Sequence, residues 1–128
     1  MKKLKIYIID DEPCIRDSLT WFLERLGCEV ISESEPFSCQ VYDGHSCGCD
    51  VPCADAILID YQLPQVNGLD FVEKQIKGGC KGKTKNILLM SGDTTSIDKE
   101  KAEKLGCTVV QKPISLDYVR TWLENLNN

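Results

Sequence analysis

The sequence predicts a doubly wound α/β fold, a five-stranded parallel sheet with helices on both faces. Three observations carry this. Short apolar, β-branched runs alternate with segments of helical spacing along almost the whole chain, which is the pattern of a parallel sheet joined by helical crossovers. The runs are apolar without alternation, as strands covered on both faces are. Several also end abruptly in a polar residue, and in open sheets of this kind ligands and chemistry collect beyond the carboxyl ends of the strands.

Leu4-Lys5-Ile6-Tyr7-Ile8-Ile9 is the first strand and ends at Asp10-Asp11. Pro13 suits a first helical turn, with Asp11 available as its N-cap. Ile15, Leu19, Phe22, Leu23 and Leu26 supply the apolar face, and Gly27 ends the helix. Cys28-Glu29-Val30-Ile31 reads as the second strand. A polar, cysteine-bearing stretch follows to about Pro52. Ala56-Ile57-Leu58-Ile59 is the third strand, closed by Asp60.

The turn Leu63-Pro64-Gln65-Val66-Asn67-Gly68 leads into a helix carrying Leu69, Phe71, Val72 and Ile76, broken by Gly78, Gly79 and Gly82. Ile87-Leu88-Leu89-Met90 is the fourth strand, ending at Ser91-Gly92-Asp93. A charged helix is expected from Ile97 to Leu105, stopping at Gly106. Cys107-Thr108-Val109-Val110-Gln111 is the fifth strand, closed by Lys112-Pro113. The last helix uses Leu116, Val119, Trp122, Leu123 and Leu126.

The chain's 128 residues suit one domain. Hydrophobic residues at 42% and charged residues at 27% are those of a globular chain. No apolar run approaches the roughly 18–20 residues that span a bilayer. The start, Met1-Lys2-Lys3-Leu4-Lys5, lacks the apolar region and cleavage site of a signal peptide. The expected compartment is the cytoplasm, with no membrane partner. A net charge of -5 argues against direct nucleic-acid binding, which rewards a basic face.

The strand-end residues Asp10, Asp11, Asp60, Ser91 and Lys112 form the candidate site. Carboxylates converging at one sheet edge repel one another unless a cation joins them. Their hard oxygens suit Mg²⁺, which takes one or two carboxylates plus waters and phosphate oxygens. Lys112 adds a fixed positive charge and Ser91 a hydroxyl donor. A carboxylate attacking phosphorus needs these parts, with cations to neutralise the equatorial oxygens and the nucleophile held in line.

Read in order, strand-Asp10-Asp11, strand-Asp60-x-x-Leu63-Pro64-x-x-x-Gly68, strand-Ser91-Gly92 and strand-Lys112-Pro113 resemble the signature of two-component response-regulator receiver domains, single-domain chemotaxis regulators among them. Each motif alone is weak, and the ordered set of four is specific. The resemblance runs from about Leu4 to Leu126. It implies a flavodoxin-like strand order 2-1-3-4-5 and a phosphorelay function. Asp60 would accept a phosphoryl group from a sensor histidine kinase or phosphotransfer protein. Asp10, Asp11, Asp60 and the backbone carbonyl of Gln62 would hold Mg²⁺, and Ser91 and Lys112 would clamp the phosphoryl oxygens. Their movement would repack a protein-binding face made by the helix over 97–105, the fifth strand and the last helix, for a downstream target protein or a phosphorylation-dependent dimer. Gln62 and Asp93 flank the site and resemble positions that tune dephosphorylation. Val109 stands where many receivers carry an aromatic switch residue, which puts a rotamer-coupled aromatic relay in doubt. On this reading the chain is a switch and not an enzyme.

Each residue has a plainer reading. Asp11 alone would be a helix cap, and Lys112-Pro113 and Ser91-Gly92 ordinary turns. Asp60 resists this, because an aspartate closing an apolar strand is costly without a partner. A flavin-binding protein of this architecture would want an anion loop where Asp10-Asp11-Glu12 stands. An aspartate-nucleophile hydrolase would want a second acid where Gln62 stands. A protein-binding module without phosphorylation is the remaining alternative.

Eight cysteines are many for this length. Cys28 and Cys107 each follow Leu-Gly and are expected to start strands as small buried hydrophobes. Cys14 stands apart, and Cys80, among glycines and lysines, is uninformative. The other four form Cys39-x7-Cys47-x-Cys49-x3-Cys53 around His45, in a loop over about residues 38–54 that is long, glycine-bearing and poor in apolar residues. Four thiolates would make a closed structural Zn²⁺ site, with His45 as a substitute ligand. Reduced thiols or a redox pair are the alternatives. The chain ends at Asn125-Leu126-Asn127-Asn128, about where receivers end. It is expected to be either a free-standing regulator or a fragment of a longer chain.

Overall fold

A computed structural model describes residues 3–36, 39, 42, 44, 48, 54–79 and 84–126. Strands β1 (Lys5–Ile9), β2 (Glu29–Glu33), β3 (Ala56–Asp60), β4 (Ile87–Ser91) and β5 (Thr108–Gln111) are each followed by a helix, α1 (Pro13–Arg25), α2 (Gly68–Lys77), α3 (Lys99–Leu105) and α4 (Leu116–Leu126), except that among the described residues no helix stands between β2 and β3. The strands form one sheet in the order β2-β1-β3-β4-β5, parallel throughout. This is the expected doubly wound fold. Among the described residues, no helix is long and apolar enough to cross a membrane.

Alternate strand residues feed two cores. Ile6, Ile8, Leu58, Leu88 and Met90 pack with Leu19, Phe22 and Leu23 of α1 and Val119 and Leu123 of α4. Tyr7, Ile9, Ile59, Ile87 and Leu89 pack with Leu69, Phe71 and Val72 of α2 and Ala102 of α3. The period of two along each strand therefore divides the apolar runs between a layer of α1 and α4 and a layer of α2 and α3.

Several local expectations are corrected. Asp11 does not cap α1. Glu12 occupies the N-cap in extended conformation, makes no side-chain cap bond, and hands the first turn to Pro13. Leu26 and Leu116 are exposed at the ends of their helices. In α2 the buried stripe is Gly68, Leu69, Phe71, Val72 and Gln75. Ile76 stays 43% exposed while Gln75 is 5% exposed, because position 75 continues the i, i+3, i+4, i+7 stripe and position 76 lies at its edge. The buried Gln75 amide is partnered, its Nε2 donating to Cys39 Sγ at 3.7 Å.

Ile97 is not helical. Thr94–Ser96 forms a short 3₁₀ turn, Ile97 is buried in extended conformation after it, and Asp98 caps α3 by accepting from Lys101 N at 3.0 Å. A carboxylate at the cap satisfies an orphan N–H that an earlier helix start would not. Gly27 and Gly106 sit at φ 91° and 87°, the left-handed setting that closes helices.

Two residues of the polar stretch between β2 and β3 are anchored. Cys39 and Tyr42 pack, half-buried, against the α2–α3 core, and Tyr42 stands edge-on to Phe71 with centroids 5.9 Å apart. This stretch thus contributes apolar contacts that its composition did not suggest. Cys47, Cys49, Cys53 and His45, and also Cys80, lie outside the described residues. Cys28 is buried as expected, and Cys107 is half-buried, with burial pushing its thiol up to about 11.

Candidate phosphoryl-transfer site

The strand ladders bring the polar strand ends to one edge. Asp10 follows β1 directly, its N–H bound to Glu33 O of β2 at 3.0 Å. Asp60 closes β3 and is in register with Met90 of β4. Ser91 closes β4, and Lys112 follows β5 with its N–H on Ser91 O at 2.8 Å. Main-chain bonds hold each residue in place, so little side-chain adjustment is needed to assemble the group.

The Lys112 ammonium is the hub. Its Nζ lies 3.0 Å from Asp10 Oδ2, 3.2 Å from Asp60 Oδ2 and 3.4 Å from Glu12 Oε1. Asp10 is 0% and Asp60 4% exposed. Burial raises the Asp60 carboxyl above its ordinary range. Lys112 opposes that shift, the Asp10 charge adds to it, and the N–H of Gln62, 3.1 Å from Oδ1, opposes it again. Burial acts to lower the Lys112 pKa, but the close contact and charge of Asp10, then Asp60, outweigh it and the net shift is upward.

Four carboxylates, from Asp10, Asp11, Glu12 and Asp60, offer oxygens that lie within 4.8 Å of one another. Asp10 Oδ1 accepts from Glu12 N at 2.9 Å, and Arg16 Nη1 donates to Asp10 O at 2.7 Å. Asp10 Oδ2 is enclosed and has no aligned hydrogen bond, only the charge contact with Lys112. A buried carboxylate oxygen left in this way, among other hard oxygens, is the donor set that a small divalent cation satisfies. The cluster therefore fits Mg²⁺.

Ser91 reaches the edge but its hydroxyl is engaged in its own loop. Oγ donates to Asp93 O and accepts from Asp93 N, each at 3.1 Å. Asp93 turns its carboxylate onto the Thr95 hydroxyl and N–H, which hold it below the ordinary range. Gln62 contributes its backbone N–H to Asp60 and bridges to Asn67. Val109 packs half-buried against the α2–α3 core. It lines a groove of about 510 Å³ with Thr94, Ala102, Cys107 and Gln111 between α3 and β5.

Sequence reasoning missed three contributors. Glu12 adds a fourth carboxylate and a third contact for Lys112, and its place beside the acidic pair was the available signal. Arg16 needs the turn of α1 to reach Asp10 and carried no local signal. Gly68 belongs to the turn and to the Asp60 signature, but the sequence assigns it no role of its own. A Cβ there would stand 2.6 Å from Asp60 O and 2.8 Å from Leu89 Cδ1, while its N–H donates to Tyr61 O at 2.7 Å. The absent side chain lets α2 start against the backbone of the candidate nucleophile. Gly68→Ala is expected to cost about 1–3 kcal/mol through overpacking, read by chemical denaturation. A wild-type midpoint would show that the backbone yields freely.

With this geometry in place, comparisons with known proteins converge. A family model described as "Response regulator receiver domain" matches residues 6–124. Protein PilG of Pseudomonas aeruginosa is 26% identical over 115 residues, covering 88% of this chain and 78% of PilG. The alkaline phosphatase synthesis transcriptional regulatory protein SphR of Synechococcus elongatus is 29% identical over 105 residues, covering 80% of this chain. The chain spans 40% of the length of SphR and 45% of a probable transcriptional regulatory protein of Picosynechococcus. A CheY-like receiver domain from Methylobacillus flagellatus superposes with a TM-score of 0.75 at 20% identity, covering 98% of this chain and 99% of that one. Full-length FixJ from B. japonicum gives 0.76 at 23% identity over 99% of this chain and 59% of FixJ. The chain belongs to the response regulator receiver domain family of two-component signalling.

Proposed function

We propose that Asp60 is the phosphoryl acceptor and that the chain is a stoichiometric switch rather than a turnover enzyme. The observation that carries this reading is a buried Asp60 sharing the Lys112 ammonium with Asp10, whose inner oxygen has no aligned hydrogen bond. A carboxylate oxygen of Asp60 attacks phosphorus while the P–N bond of a phosphohistidine breaks, and the released imidazole nitrogen takes up a proton. The donor is a sensor histidine kinase or a phosphotransfer protein. Mg²⁺ held by Asp10, Asp11, Asp60 and the Gln62 carbonyl would neutralise charge on the transferred group. Lys112 balances the charge from the other side, and Ser91 donates to a phosphoryl oxygen once released from Asp93. Output runs through the face of α3, β5 and α4 to a target protein or a second phosphorylated copy, in the cytoplasm.

The test is incubation with a small phosphodonor and Mg²⁺, followed by intact-mass and peptide-mass measurement. One stable phosphoryl group per chain on the Asp60 peptide, not formed when a chelator replaces Mg²⁺ and absent in Asp60→Asn, is the expected result. Rapid multiple turnover of the donor would favour an aspartate-nucleophile hydrolase instead.

The cysteine cluster carries a second, independent proposal: structural Zn²⁺ held by Cys39, Cys47, Cys49 and Cys53, with His45 as substitute. Its support is ligand chemistry and spacing, together with Cys39 held in place by its contact with Gln75. Protein purified without chelator is expected to carry one zinc. Zinc-free protein with four readily titrated thiols would defeat the proposal.

A further inference from the structure

We infer that Gln111 is a positioning residue that latches the Ser91 loop in its unphosphorylated setting; this rests on the acceptor reading of Asp60. Ser91 and Gln111 are register partners at the ends of β4 and β5. The Gln111 amide reaches over the loop that comes after Ser91. Its Nε2 donates to Gly92 O at 2.6 Å and to Lys112 O at 3.2 Å, and its Oε1 accepts from Thr94 Oγ1 at 3.2 Å. One side chain on β5 thus ties both ends of the Gly92–Thr94 segment to the strand that delivers Lys112.

That segment decides what the Ser91 hydroxyl can do. Oγ both donates to and accepts from the backbone of Asp93, so its proton is committed within the loop. To donate to a phosphoryl oxygen on Asp60 it must give up both Asp93 bonds, and the proposed route is movement of the segment rather than rotation of the Ser91 side chain alone. Movement breaks the Gln111 bonds as well, because Gly92 and Thr94 flank Asp93. Val109 offers no ring to follow such a movement, whereas Gln111 is bonded to the segment directly. The latch stabilises the resting arrangement and so lowers the population of the one that receives phosphate.

The experiment is phosphoryl uptake from a small phosphodonor at saturating Mg²⁺ in the full chain, comparing wild type, Gln111→Ala, Thr94→Val and the double variant, with melting temperatures recorded alongside. Gln111→Ala is expected to take up phosphate about three- to tenfold faster, the scale of losing one or two exposed hydrogen bonds. Thr94→Val, which leaves Lys112 untouched, should act in the same direction with less effect and add nothing in the Gln111→Ala background. The milder Thr94→Val keeps the test open should Gln111→Ala fold poorly. Wild-type or slower uptake in both single variants would overturn the latch, as would effects that multiply in the double variant. No uptake by the wild type would instead bring down the Asp60 reading, and the latch with it.

Discussion

Asp60→Asn is expected to reduce phosphoryl uptake to background while making the protein more stable in chelator, by about 1–2 kcal/mol, the scale of relieving one buried and incompletely compensated charge. The chemical half comes from losing the nucleophilic carboxylate oxygen. The stability half comes from the electrostatics of the edge. Burial and the neighbouring Asp10 charge raise the Asp60 carboxyl against the opposing pull of Lys112 and the Gln62 N–H.

An acid whose folded-state pKa lies above its unfolded value binds more protons when folded. Stability is then highest below the ordinary carboxylate range, near about pH 4, and falls as pH rises through the raised value. The difference between the wild-type and Asp60→Asn pH profiles should show this fall, since Asp70 and Asp93, shifted downward, contribute equally to both. For a domain of 128 residues the gain is a rise in melting temperature of roughly 3–6 °C per kcal/mol. An Asn variant that melts below the wild type in chelator would show that Asp60 contributes net structure. One that still takes up a phosphoryl group would move the acceptor elsewhere.

Lys112→Met is expected to have the opposite effect, a loss of about 3 kcal/mol in chelator at neutral pH, the scale of removing one partner from a buried charge group. The variant leaves Asp10, Asp60 and Glu12 without the ammonium that all three contact. In the wild type the raised Lys112 pKa means its contribution is fully present below about pH 10.4 and is lost only as pH rises through the higher folded value. The variant's deficit should therefore persist across the neutral range. It should shrink as the carboxylates protonate in acid, and shrink again with Mg²⁺, because without the competing ammonium the variant's carboxylates bind the cation more tightly, each tenfold in Kd being worth about 1.4 kcal/mol. Chemical denaturation with and without Mg²⁺ checks both. Equal stability of wild type and variant in chelator would remove Lys112 from the electrostatic account.

Much of the site was readable because strands end where apolar runs end. Ile6, Ile8, Leu58, Leu88 and Met90 announce themselves by type, and the polar residue that closes each run is carried to the same edge by the parallel register. Asp10, Asp60, Ser91 and Lys112 were legible for that reason. The errors fell where a choice between neighbours depended on the packed partner. Ile76 is more apolar than Gln75, yet the azimuth of α2 buries Gln75 in contact with Cys39. Ile97 has helical spacing with the apolar residues up to Leu105, yet Asp98 starts α3 and leaves Ile97 as a buried anchor. Asp11 is a good cap by type, yet the chain enters α1 through Glu12.

By itself, then, the sequence determined the order of elements, the two-sided sheet and the set of polar strand ends, because burial period and strand termination are local properties of the chain. The tertiary structure alone decided the rest. It placed Glu12 on Lys112, closed Gly68 against Asp60 O, bound the Ser91 hydroxyl to Asp93, and laid Gln111 across the loop between them. The Glu12 and Gln111 contacts join segments brought together by the sheet, at 3.4 and 2.6 Å, and the Ser91–Asp93 bond depends on how the loop turns after β4; spacing along the chain carries no information at that scale.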